Sequence, residues 1–109
     1  MRCQNTNLLL GNNAQFVRRP FGDFVSAACA AHVQAVELTL QTPHFYVDST
    51  KFHAVEQQKQ LLSEADIAVA SVHPLPYRYS ICAGLDSIQH KKTVEYYQQC
   101  ILLAKELKA

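Results

Sequence analysis

The chain alternates short strand-like runs with longer helix-like runs, and that alternation limits it to few architectures. In residues 21–31, Phe21, Phe24, Ala28 and Ala31 recur at spacings of three and four, which predicts a helix with one buried face. A helix from about Thr50 to Glu64 follows the caps Asp48 and Ser49, with Phe52, Val55, Leu62 and Ala65 on its inner side. The last helix starts after Asp86, which forms a capping box with Gln89. Val94, Tyr97, Ile101 and Ala104 make its apolar stripe, widened by Cys100, Leu103 and Leu107. Between these helices lie three strands, Asn5 to Leu10, Ala35 to Leu40 and Ile67 to His73. The polar loop "GNN" follows the first, and Pro74 and Pro76 end the third, because proline cannot donate to a ladder.

The order β-α-β-α-β-α implies right-handed crossovers and a parallel sheet, hence an α/β fold. Parallel strands covered on both faces read as continuous apolar runs, and these do not. In the second strand Val36, Leu38 and Leu40 alternate with Glu37, Thr39 and Gln41. In the third, Ser71 and His73 oppose Ala70 and Val72; in the first, Asn5 and Asn7 oppose Thr6, Leu8 and Leu10. Each strand thus has one apolar face, for helices, and one polar face. That pattern suits the wet upper interior of a (β/α) barrel, where active sites gather at the C-terminal strand ends. Glu37 therefore faces either a polar interior or the solvated side of an edge strand. A buried lone carboxylate would be costly without a partner.

Composition narrows the function classes. The 109 residues carry a formal net charge of +1, which leaves no electrostatic footprint for nucleic acid or an anionic membrane. No apolar run approaches the roughly 20 residues of a membrane span, and the N-terminus has no cationic-then-apolar signal pattern. Cys3, Cys29, Cys82 and Cys100 show no CxxC spacing. They read as free thiols of a cytoplasmic protein, three of them in strand or helix segments where cysteine serves as a small buried hydrophobe. A chain of this size is expected to form one domain.

Residues 21–46, "FGDFVSAACAAHVQAVELTLQTPHFY", resemble the first helix and second strand of sugar epimerases with the xylose-isomerase-like TIM barrel. There a helix with a small-residue core leads into a "(V/I)E(L/I)" strand and a loop with "PH" and an aromatic. "SVHPLPYRYSICAGLD" and "TVEYYQQCILLAKELKA" resemble the third strand and helix of the same superfamily. The "PH-aromatic" loop is most similar to that of ketosamine 3-epimerases such as fructoselysine 3-epimerase. The resemblance spans about residues 5 to 109 and implies a partial TIM barrel of three β-α units, in a single domain.

A complete barrel has eight such units in about 250 residues. The resemblance implies the N-terminal part of a metal-dependent sugar or sugar-phosphate isomerase or epimerase. In that family two glutamates transfer protons, and they bind the divalent metal (Mn, Mg, Co or Zn) together with an Asp and a His. All lie on strands beyond residue 109, so no cofactor and no activity are expected of this chain alone. The chemistry agrees. Epimerisation beside a carbonyl needs a base on one face of the carbon, an acid on the other, and enediolate stabilisation. Of nine carboxylates only Glu37 lies within a strand; Asp23, Glu56, Glu64, Glu95 and Glu106 sit on helices or at their ends. Two departures from the family stand out. His32 occupies the glycine position between first helix and second strand, and Lys108 replaces the glycine of an "ELGA" ending. A helix C-terminal left-handed residue is usually glycine.

The candidate substrate-binding residues are Glu37, His44, His73 and Tyr77; none is assigned as catalytic or metal-ligating. Glu37 is expected to support the site by a hydrogen bond or ion pair. His73, at the end of the third strand, is open to three roles: a structural hydrogen bond, substrate contact, or metal ligation. His44 sits in a loop that either contacts sugar or leaves it exposed, and Phe45 and Tyr46 either wall a pocket or cover the rim. Tyr77 and Tyr79 flank Arg78, which is either solvated or an anion contact. His32, His53 and His90 have no assigned role, and Lys91, Lys92, Lys105 and Lys108 read as a solvated helix face. Three strands leave two open sheet edges, which invite homo-oligomerisation. The expected partners are therefore a sugar or sugar phosphate in a complete enzyme and further copies of the chain. The competing reading is a non-catalytic α/β fragment that oligomerises or binds a partner.

Overall fold

The structure, a computed structural model, describes residues 10–47, 55–75 and 88–109. Its elements run β1 (Leu10–Asn12), a 3-10 turn (Asn13–Phe16), α1 (Phe21–Ala30), β2 (Ala35–Thr39), α2 (Glu56–Glu64), β3 (Ala68–His73) and α3 (Ile88–Glu106). The described strands form one parallel sheet in the order β1-β2-β3. The chain is thus α/β with successive β-α units, as the alternation predicts. Residues 5–9 of the expected first strand, Asp48, Ser49 and Phe52 before α2, and the capping box at Asp86 lie outside the described residues. The "GNN" loop is displaced: Gly11 and Asn12 end β1, and Asn13 opens the 3-10 turn. Asn12 caps that turn, its Oδ1 accepting from the Ala14 amide at 2.7 Å.

The core lies on one face of the sheet. Val36, Leu38 and Leu40 of β2 and its extension meet Phe21, Phe24, Val25 and Ala28 of α1, Leu62 of α2, and Tyr96, Cys100 and Leu103 of α3 in a single cluster. Tilted and edge-on ring pairs link Phe21 to Phe24 and Phe45. Two helix faces differ from the sequence reading. In α1, Val25 is buried while Ala31 is exposed. In α3 the buried line is Thr93, Tyr96, Cys100, Leu103 and, just past the helix end, Leu107; Val94 and Ile101 are 41% and 68% exposed. The stripe at 94, 97, 101 and 104 is periodic too, so periodicity could not choose between the two. The tyrosine hydroxyl decides. Buried at the strand side, Tyr96 accepts the Leu75 amide on its Oη at 2.8 Å, a partner available only there. Cys29 is exposed, unlike the buried Cys100; Cys3 and Cys82 lie outside the described residues.

The three described α-helices end in the same way. His32, Asp66 and Lys108 have φ of 59°, 56° and 59°. After α1 the Val33 amide reaches Ala28 O at 2.9 Å; after α2 Ile67 reaches Leu62 O at 2.9 Å; after α3 Ala109 reaches Ala104 O at 2.9 Å. Each is the six-to-one bond of a Schellman cap, with a left-handed residue just before it. His32 and Lys108 thus hold left-handed positions that glycine would normally fill. A further tie joins α2 to the end of α3, where Lys59 Nζ donates to Glu56 at 3.3 Å and to Glu106 at 3.2 Å. No helix among the described residues is long and apolar enough to cross a membrane.

Candidate functional site

The face of the sheet opposite the core is polar at its C-terminal end. β1 pairs Asn12 with Glu37, and β2 pairs Glu37 with Ser71 and Thr39 with His73. Side chains paired in register share a face, so Asn12, Glu37, Thr39, Ser71 and His73 stand together. Ser71 Oγ donates to Glu37 Oε2 at 2.9 Å, and Thr39 Oγ1 donates to Asn12 Oδ1 at 3.2 Å. The Glu37 carboxylate is half-buried, and serine is the hydrogen-bond partner that a charge inside a strand requires. Its Oε1 and the exposed His73 ring have no hydrogen-bond partner among the described residues.

Strict alternation through "AVASVH" would set Val69 on the same face as Ser71 and His73. The structure avoids this with a register shift: Val36 pairs with Val69, but the next residue, Glu37, pairs with Ser71. Ala70 is therefore an inserted residue without a cross-strand partner. One bulged position sends Val69 towards the core, where it packs on the apolar cluster, and brings Ser71 and His73 to Glu37. Bulges that re-aim side chains recur beside functional sites.

His44 is placed elsewhere. It is 2% exposed, and its ring packs edge-on to Phe21 with centroids 5.3 Å apart. Its Nε2 lies 2.7 Å from Arg19 O and its Nδ1 2.9 Å from Asn13 Nδ2. A carbonyl only accepts, so Nε2 carries the proton and Nδ1 accepts from the Asn13 amide. Asn13, 0% exposed, also accepts the Thr39 amide on Oδ1 at 2.7 Å and donates from Nδ2 to Thr39 O at 3.2 Å. Its carboxamide therefore meets Thr39 as a neighbouring peptide group would, and continues the β1 side of the ladder by a side chain. His44 braces this junction rather than presenting a free nitrogen. The loop expectation for Phe45 changes likewise: it belongs to the core at 1% exposure, while Tyr46 is exposed. Tyr77, with Arg78 and Tyr79, lies outside the described residues.

The structure thus brings Glu37 and His73 together and sets His44 apart. Asn12, Thr39 and Ser71 join the group, and Asn13 supports it. Strand alternation held the signal for Ser71; nothing in "GNN" marked which asparagine would mimic a peptide group. Chemically, the cluster offers a carboxylate oxygen, hydroxyls, a carboxamide and an imidazole on an open strand-end surface. Such a set suits adjacent hydroxyl groups. Among the described residues no group of three or more His, Cys, Asp or Glu side chains stands close enough to hold a metal ion.

Comparison of the chain with protein-family models, with curated proteins and with solved structures gives no match.

Proposed function

We propose that this chain is the N-terminal, substrate-binding part of a sugar or sugar-phosphate isomerase or epimerase of the xylose-isomerase-like barrel type. The observation that carries the reading is the Glu37–Ser71 pair at 2.9 Å, on one face with Asn12, Thr39 and His73 at the ends of parallel strands. Strands in sequential order, with helices gathered on one face, support barrel winding over a doubly wound sheet. In this reading Glu37 and Ser71 hold a sugar hydroxyl and His73 reaches the next one. Proton transfer and metal binding belong to groups that the described residues do not supply, so a divalent metal enters only in a complete enzyme.

Titration of isotope-labelled protein with D-fructose and fructose 6-phosphate tests the assignment. Saturable amide shifts at Glu37, Ser71 and His73 are expected, weakened about tenfold in Ser71→Ala, the cost of one hydrogen bond of ordinary strength. Shifts confined to other residues, or none, refute it.

One observation favours the second reading, a non-catalytic fragment that self-associates. Val94 and Ile101 are exposed on α3, and the uncharged β3 is an edge of the described sheet. Sedimentation equilibrium at micromolar concentration separates the two: a monomer that binds ketoses fits the first reading alone, and an oligomer that ignores them fits the second.

A further inference from the structure

The ring of His44 is engaged at both nitrogens in a junction closed to water, with His44 2% and Asn13 0% exposed. Nε2 faces Arg19 O at 2.7 Å, and Nδ1 faces Asn13 Nδ2 at 2.9 Å. The Asn13 carboxamide is not free to turn over and offer its oxygen instead. Its Oδ1 accepts the Thr39 amide at 2.7 Å, and its Nδ2 donates to Thr39 O at 3.2 Å. Turned over, it would set donor against donor and acceptor against acceptor at Thr39. Thr39 thus fixes Asn13, and Asn13 fixes His44 as a neutral ring with a bare Nδ1.

A second proton has no place in this arrangement. It would turn Nδ1 into a donor facing the donor Nδ2, and it would put a charge in a dry site. Nothing packed on the ring offsets that charge. Arg18 and Arg19 precede α1, and the Asp23 carboxylate of α1 is taken by Arg19 at 3.1 Å. From α2 the side chains on this side are the uncharged Gln57, Gln58 and Leu61, while Glu56 and Lys59 line a separate cavity with Glu106. β2 contributes Thr39, whereas Glu37 pairs with Ser71 of β3 on the polar sheet face, where His73 also stands.

We propose that His44 is an acid-sensitive latch: protonation opens its contact with Asn13, frees the β1 end from Thr39, and so loosens the Asn12–Thr39 side of the polar sheet face. Asn12 adjoins Asn13 in the chain and accepts from Thr39 Oγ1 at 3.2 Å, so release of Asn13 reaches that face directly. The latch acts on the face whether or not the face binds a sugar. The sign follows from proton counting. The closed junction excludes the proton and the opened one takes it, so the closed state is favoured above the ordinary imidazole range, about 6.5, and is lost as pH falls through it.

Nuclear magnetic resonance of the full chain tests this in two ways. Ring nitrogen shifts at pH 8 should show His44 as the neutral tautomer with its proton on Nε2. The opening constant from exchange of the Thr39 amide, corrected for the intrinsic exchange rate, should rise about tenfold between pH 7.5 and 5.5, the effect of one proton taken up on opening. His44→Asn keeps an acceptor near Nδ1 but cannot titrate, and should lose that rise. Asn13→Asp turns a carboxylate towards Nδ1, so its urea-unfolding stability relative to the parent should improve over the same fall in pH. A His44 proton on Nδ1, or a Thr39 opening constant that does not change with pH in the parent chain, overturns the proposal even if neither variant folds.

Discussion

Asn13→Leu is the most informative perturbation of this fold. Leucine has nearly the shape of asparagine but none of its hydrogen-bonding capacity. Three bonds vanish: Oδ1 to the Thr39 amide, Nδ2 to Thr39 O, and Nδ2 to His44 Nδ1. All three partners are left in a buried junction, since Thr39 and His44 are themselves buried. An orphaned buried group costs about 1–3 kcal/mol, so three sum to roughly 5 kcal/mol at the lower-middle of that range. Burying the leucine side chain returns about 2 kcal/mol. The net loss is on the order of 3 kcal/mol, against a total stability of about 5–15 kcal/mol for a domain of this size. Thermal melting should fall by roughly 15 °C, at about 4–8 °C per kcal/mol. Asn13→Asp keeps the shape and the bond from the Thr39 amide, yet puts an oxygen opposite Thr39 O and the bare Nδ1. It should therefore destabilise as well, although it is isosteric. Urea unfolding followed by circular dichroism measures both. An Asn13→Leu protein within 1 kcal/mol of the parent would refute the peptide-mimic account of this residue.

Deletion of Ala70 should be tolerated better than deletion of Val72. Removing the bulged residue leaves Ser71 opposite Glu37, whereas removing Val72 turns His73 to the other face; a Glu37→Cys, Ser71→Cys cross-link that still forms without Ala70 checks the register. His32→Gly should stabilise by about 0.5–1 kcal/mol in urea titration. Relief of left-handed strain, about 1–2 kcal/mol, exceeds the entropy that glycine adds to the unfolded chain. Asp66→Gly should gain less, because aspartate visits that region more readily. Lys59 is held above its ordinary 10.5 by its hydrogen bonds to Glu106 and then Glu56. A raised folded-state pKa means that the tie's contribution is fully present below about pH 10.5 and is lost as pH climbs through the higher folded value. Stability between pH 7 and 9 should therefore show no loss from this group, and Lys59→Met should remove any extra loss seen above pH 10.5.

Local pattern alone was enough for the β-α alternation, the parallel sheet and the burial of Val36, Leu38 and Leu40, and it marked Glu37 as a charge in need of a partner. These follow from side-chain period and from the cost of an unpaired charge, which act within a few residues. His32 and Lys108 were set at glycine positions only by the family resemblance; their left-handed φ is a finding of the structure. Other features depended on contacts distant in sequence. Two stripes of α3 were equally periodic, and only the meeting of Tyr96 with the Leu75 amide buried one of them. Three Asn or His residues looked alike in loops, and only the arrival of Thr39 and Arg19 O made Asn13 and His44 a buried brace. The parity of "AVASVH" pointed two ways until pairing with β2 inserted a bulge at Ala70. Periodicity sets which faces a segment can offer; which face is used depends on partners far along the chain that satisfy its polar groups.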